Sequence, residues 1–124
     1  MNLNQVTVPS LNVKRAVEFY QLLGLKLIVQ NYPSYARFEC PEGQATFSIH
    51  LVDKLPGANG TIVYFECNNL DDTVQQLKNK NIVIDTDPID QPWLWRVAYL
   101  KDPDENIICL YYAGPNRLNP PWRL

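Results

Sequence analysis

Residues able to do chemistry are few in this chain. It has one histidine, His50, and three cysteines, Cys40, Cys67 and Cys109. With a single imidazole no Ser-His-Asp arrangement can be argued, and the sequence holds neither a P-loop nor a GxGxxG turn. An odd cysteine count without CxxC spacing reads as reduced, mostly buried thiols in a cytoplasmic protein. Cys109 would act as a nucleophile only beside a base or a positive potential that ionises it, and no such group is identifiable. His50 closes the run Thr46-Phe47-Ser48-Ile49-His50, where strand alternation puts it on the face of Ser48. It reads either as a pocket imidazole or as a hydrogen-bonded core residue.

The densest aromatic and cationic stretch is Gln91-Pro92-Trp93-Leu94-Trp95-Arg96. Two indoles beside a guanidinium can sandwich a planar or cationic ligand and pair with an anionic group. The same residues can equally form a corner packed against Trp122. Arg96 is the residue on which the ligand reading leans most. Glu66 ends the apolar run Ile62-Val63-Tyr64-Phe65. A carboxylate inside such a strand is costly unless it is paired or shifted in ionisation. Facing a cavity with Tyr64, it is the candidate general base, or a partner for Arg96 or Arg37; near the strand's end it is merely solvated. Tyr35, Arg37 and Glu39 share one strand face by parity, which suggests solvent or a polar cavity rather than core.

Composition limits what these residues can be asked to do. The chain has 124 residues, 46% of them hydrophobic, enough for one domain with a real core. Net charge is −2 and the eleven basic residues are scattered, which argues against nucleic acid as a partner. The opening MNLNQVTVPS lacks a basic stretch followed by an apolar one, so no signal peptide is expected. No apolar run approaches the roughly 20 residues that span a bilayer, so no membrane association is expected.

The elements that must position the candidates come in two copies. Asn12 falls on Asn69, Val17 on Val74, Gly24 on Asn81, and Pro41-Glu42-Gly43 on Pro103-Asp104-Glu105. A repeat of this length means two copies of one supersecondary unit. In the first, residues 4–9 alternate as a strand, with Val6 and Val8 on one face and Gln5 and Thr7 on the other. Ser10 or Asn12 caps a helix over about 13–23, whose apolar stripe is Ala16, Val17, Phe19, Tyr20 and Leu23 and which Gly24 stops. Strands near 25–31, 35–40 and 45–52 follow. The second copy predicts a strand over 61–67, a helix over about 70–80 with stripe Leu70, Val74 and Leu77 and cap Asn81, and strands near 82–86, 95–101 and 106–112. Module one is thus 1–53, the linker 54–60, module two 61–112, and the tail 113–124. The tail is expected to be extended, with Trp122 docked on something apolar, across a groove or on a second subunit. Each copy is β-α-β-β-β, an α+β arrangement in which two half-sheets keep their helices outside and enclose a concave, strand-lined surface.

The run Val6-Thr7-Val8, with Val17-Glu18-Phe19-Tyr20 and Leu23-Gly24-Leu25, resembles the first-module signature of the vicinal oxygen chelate superfamily. That superfamily groups glyoxalases, extradiol dioxygenases and bleomycin- or fosfomycin-resistance proteins. Asp102-Pro103-Asp104-Glu105-Asn106-Ile107-Ile108-Cys109-Leu110 is similar to its second-module hairpin, and the match covers residues 3–112. The resemblance implies a metal held by a histidine on the first strand of each module and a carboxylate or glutamine on the last strand. Those positions here are Gln5, Ile62 and Cys109, so the usual metal site is expected to be absent. It also implies a homodimer and a pocket rimmed near Trp93, Trp95 and Arg96.

The leading expectation is a cytoplasmic small-molecule-binding protein without a cofactor, holding a planar or anionic ligand with Trp93, Trp95 and Arg96 at the rim and His50, Tyr64, Glu66 and Cys109 inside. The alternative is a metal-dependent lyase, isomerase or dioxygenase with an altered ligand set of His50, Glu66 and Cys109, with or without Gln5, binding Zn, Ni, Mn or Fe. A third possibility is a scaffold packed shut. Fold alone does not choose among them.

Overall fold

The computed structural model of the chain describes residues 1–57 and 61–124, so part of the expected linker lies outside the described residues. The elements are β1 (Gln5–Ser10), α1 (Val13–Leu22), β2 (Lys26–Asn31), β3 (Tyr35–Glu39) and β4 (Thr46–Leu51), then β5 (Ile62–Glu66), α2 (Leu70–Asn79), β6 (Thr86–Asp90), β7 (Arg96–Lys101) and β8 (Ile107–Tyr112). A 3-10 turn, Gly114–Arg117, follows. The strands form two four-stranded sheets of identical topology, β1-β4-β3-β2 and β5-β8-β7-β6. In each, the first strand runs parallel to the last, and the remaining pairs are antiparallel. This is an α+β fold of two β-α-β-β-β modules. Contacts divide the chain into two compact units, Met1–Gly60 with Asp102–Asn106, and Thr61–Lys101 with Ile107–Leu124. No described helix is long and apolar enough to cross a membrane.

In the first unit the Asn12 side chain accepts the Arg15 amide at 3.0 Å and so satisfies one of the free N–H groups that open α1. The helix ends where Gly24 takes φ +102° and the Leu25 amide returns to the Tyr20 carbonyl at 3.1 Å. Helix α2 ends the same way, with Asn81 at φ 65° and Ile82 bonded to the Leu77 carbonyl at 3.0 Å. The glycine-for-asparagine match of the repeat is therefore one cap geometry used twice. The buried stripe of α1 is Val13, Ala16, Val17 and Tyr20, and that of α2 is Leu70, Val74 and Leu77. Tyr20 packs on Phe47 and Phe38 with ring centroids 4.5 and 5.9 Å away. Each such ring contributes roughly 1.5–3 kcal/mol by leaving water.

The turn Asp102–Asn106 belongs to the first unit, and hydrogen bonding gives the reason. Asp102 Oδ1 accepts the backbone amides of Asp104 and Asn106 at 2.8 and 2.9 Å. Its Oδ2 accepts the Tyr20 hydroxyl at 2.6 Å and Asn106 Nδ2 at 2.7 Å. Asp104 accepts the Ser10 hydroxyl at 2.5 Å, the Leu11 amide at 2.9 Å and the Arg15 guanidinium at 2.8 Å. Asn106 donates to the Pro9 carbonyl at 3.1 Å. Both carboxylates are buried and fully partnered, the condition under which burying a charge is tolerable. Tyr20 stays protonated, its ionisation opposed first by burial and then by the Asp102 charge.

Two expectations are corrected. The strand expected over 82–86 lies at Thr86–Asp90. The cap at Asn81 spends Ile82 as an apolar plug beneath α2, leaves Val83 76% exposed, and delays pairing until Thr86 meets Tyr99. Pro88 fits β6 because this strand lies at the sheet edge. The tail is not simply extended, since it opens with the 3-10 turn, and Trp122 is 56% exposed within this single chain.

Candidate functional site

Each sheet has one face covered by its helix and one that is not. In the first unit Phe47 and Ile49 are on the covered face with Tyr20, so alternation turns Thr46, Ser48 and His50 the other way. Register brings Gln5, Arg37 and Tyr35 onto the same uncovered face, opposite Thr46, Ser48 and His50 respectively. Thr46 donates to Gln5 Oε1 at 2.8 Å. The Tyr35 and Ser48 hydroxyls are 2.8 Å apart, and Arg37 Nε donates to the Tyr35 oxygen at 2.9 Å. Burial opposes ionisation of Tyr35, but the bonds from Ser48, Arg37 and Gln5 together hold its pKa below the ordinary phenol value. His50 itself is exposed and makes no side-chain hydrogen bond among the described residues, which favours neither of its two readings.

The uncovered face of the second sheet has a different chemistry. Pairing sets Tyr64 beside Cys109 and Cys109 beside Tyr99, with Glu66 beside Tyr111 and Tyr111 beside Val97. Trp95, just before β7, stacks on Tyr111 with centroids 4.7 Å apart and planes at 21°. Tyr64 meets both rings edge-on, at 5.6 Å from Tyr111 and 6.3 Å from Trp95. Val97, Cys109, Tyr111 and Ala113 are buried beneath, and Ile62, Trp95 and Tyr99 pack on them partly open. Tyr64 is 47% exposed. Burial first, and then the neighbouring Cys109 and Tyr64, raise the pKa of Tyr99. Burial pushes the Cys109 thiol up to about 11, against the pull of the Tyr99 bond. Tyr111 is raised by burial and then by the Glu66 charge. At neutral pH these groups are a protonated thiol and neutral rings, a surface for stacking rather than for nucleophilic attack.

Of the residues singled out in the sequence, Tyr64, Trp95 and Cys109 meet on this face, and Glu66 lies at its end. Glu66 Oε2 accepts the amides of Ala113 and Gly114, each at 2.9 Å, and Arg117 lies 3.8 Å from Oε1. Its partners are the tail, not Arg96 or Arg37. Trp93 stands in the preceding turn, 44% exposed, beside Leu94 at φ 66°. Arg96 turns to the opposite face from Trp95, where it pairs with Asp71 at 2.9 Å and Asp90 at 3.1 Å. These bonds raise the Arg96 pKa and lower that of Asp71. A shallow recess of about 310 Å³ opens there, lined by Asn68, Asn69, Asp71, Arg96 and Tyr112 among others. Tyr99 was missed, although the two-residue steps from Trp95 to Val97 to Tyr99 were the signal that could have found it.

The positions corresponding to the metal ligands offer an amide already accepting a threonine hydroxyl, an aliphatic chain and one buried thiol, a single strong donor in three. Those donors do not fit a divalent first-row ion, which takes imidazole, carboxylate or thiolate. Among the described residues of either unit, no three His, Cys, Asp or Glu side chains converge closely enough to hold one.

Comparison with known proteins agrees with this architecture. An uncharacterised protein of Bacillus subtilis (strain 168), YraH, is 28% identical over 125 residues, covering 90% of this chain and 98% of its own. A glyoxalase/bleomycin resistance protein/dioxygenase from Nocardioides superposes with a TM-score of 0.77 at 21% identity, covering 100% of this chain and 89% of its own. A bleomycin-binding protein complexed with bleomycin superposes with a TM-score of 0.73 at 19% identity, covering 90% and 98%. At these identities the structures speak to the fold. The family model described as Glyoxalase/Bleomycin resistance protein/Dioxygenase superfamily matches residues 2–110, and the chain belongs to that superfamily.

Proposed function

We propose that this protein binds a small planar ligand on the uncovered face of its second sheet, and does so without a metal ion. The observation that carries the reading is the Trp95–Tyr111 stack with the half-exposed Tyr64 set edge-on to both rings. A further aromatic ring can extend that arrangement by offset or edge contact, each worth about 0.5–1.5 kcal/mol beyond the area it buries. The hydroxyls of Tyr64 and Tyr99 supply the few polar groups that orient such a ligand. The donor set at Gln5, Ile62 and Cys109 supports the metal-free part. A superfamily relative of the same fold is described as binding bleomycin, so capture of a small molecule has a precedent on this scaffold.

A homodimer and a cytoplasmic location belong to the same reading. The three free cysteines suit a reducing compartment, and sedimentation equilibrium tests the dimer. Binding is tested by calorimetric titration with neutral planar probes such as quinoline and indole, on the unmodified chain and on Trp95→Leu. The expected result is saturable binding that weakens about tenfold or more in the variant, the equivalent of roughly 1.4 kcal/mol. Undiminished binding in Trp95→Leu would remove this face from the account. Stoichiometric Zn, Ni, Mn or Fe that a chelator strips would instead restore the metal-dependent alternative.

A further inference from the structure

The first sheet carries a site of a different kind. Its uncovered face sets a guanidinium among hydroxyl and amide groups. Arg37 brings five N–H groups and no acceptor, Ser48 and Tyr35 bring hydroxyls, and Gln5 brings an amide whose oxygen is already engaged by Thr46. Arg37 uses Nε on the Tyr35 oxygen and lies with its guanidinium carbon 5.5 Å from the centre of that ring. Among the described residues no carboxylate lies within ion-pair distance of Arg37. Arg15 and Arg117, by contrast, each have one, and Arg96 has two. The carboxylate that shares its strand face, Glu39, pairs with Lys26 at 3.8 Å. Ser48 is completely buried, and its hydroxyl is fixed by Tyr35. The fork of Arg37 is thus oriented from one side by a tyrosine and left without an anion on the other.

We propose that this face binds the carboxylate of a small organic acid, with Arg37 as its anchor and the Tyr35 hydroxyl, held from below by Ser48, beside it. A planar guanidinium matches a carboxylate through two parallel N–H···O bonds. One positive charge balances a monoanion, whereas a dianion would leave charge uncompensated. Its residues belong to the first unit and those of the aromatic face to the second.

The test titrates benzoate, and benzamide as its neutral counterpart, into the full chain while following the Arg37 Nε–H and the Tyr35 and Ser48 amides by NMR. Benzoate is expected to shift these signals and benzamide is not. In Arg37→Gln the benzoate affinity is expected to fall about tenfold or more, as for loss of one charge-assisted bond. In Arg37→Lys, which keeps the charge but not the fork, it falls less. Equal responses to benzoate and benzamide, unchanged benzoate affinity in Arg37→Gln, or shifts confined to Trp95 and Tyr111 would each overturn the proposal. The comparison of the two probes needs no variant to fold.

Discussion

Replacing Tyr20 by phenylalanine removes one oxygen from a fully buried ring and leaves the packing against Phe47 and Phe38 in place. What it deletes is a 2.6 Å bond to Asp102 Oδ2. A hydrogen bond to a charged partner is worth about 1.5–3 kcal/mol net. Asp102 keeps its other three donors, including Asn106 Nδ2 on the same oxygen at 2.7 Å, so the carboxylate is weakened rather than stranded. The lower half of the range, about 1.5–2 kcal/mol, is therefore expected. Urea unfolding followed by far-UV circular dichroism reads it as a lower midpoint with unchanged slope, because the surface exposed on unfolding is the same. A companion Asp102→Asn change closes a double-mutant cycle, and a coupling energy of at least about 0.5 kcal/mol is expected for residues in direct contact. A shift below about 0.5 kcal/mol in Tyr20→Phe, the range of ordinary surface changes, would refute the reasoning that this bond holds the Asp102–Asn106 turn.

Further outcomes follow from the same contacts. Glu66→Ala strips an acceptor from two amides at the edge of solvent and should cost about 1 kcal/mol; faster hydrogen exchange at Gly114 and earlier proteolysis of the tail would accompany it. Cys109, whose folded pKa is raised to about 11 from the ordinary 9.0, contributes stability that is complete below pH 9 and lost as pH climbs toward 11. Its alkylation by iodoacetamide at neutral pH should lag far behind that of Cys40 and Cys67, which are only partly buried. Asp71, with its pKa lowered by Arg96, contributes stability present above the ordinary carboxylate range and lost as pH falls through the lowered value. Arg96→Ala should flatten that acid limb. Because the pair is exposed, the effect should shrink in high salt, which thermal unfolding at two ionic strengths can check.

The repeat was legible because its marks are local. Gly24 and Asn81 both end helices at positive φ, and the stripes of α1 and α2 are set by the helical period. The signatures that carried the family resemblance turn out to touch, since Tyr20 bonds Asp102 and Ser10 bonds Asp104. The site was legible only in part. Trp95 and Arg96 are adjacent on an extended strand and so point to opposite faces, which splits a cluster that looked continuous along the sequence. Glu66 stayed open between a general base, a partner of Arg96 or Arg37 and a solvated strand end, because the Ala113 and Gly114 amides it meets are distant in sequence and carry no side-chain signal. That same contact holds the amides at the start of the 3-10 turn, where an extended tail was expected. The β6 shift has a similar origin, as Ile82, Val83 and Ile84 favour a strand by residue type but the Asn81 cap takes Ile82 for the core.

The most direct measurement of the central claim is an NMR titration of chelator-treated protein with quinoline, following the Trp95 indole N–H and the ring protons of Tyr64 and Tyr111. The account predicts saturable shifts at these three residues, unchanged when Zn, Ni, Mn or Fe is added back. Shifts that appear only after metal is restored, or that leave all three residues unmoved, would contradict it.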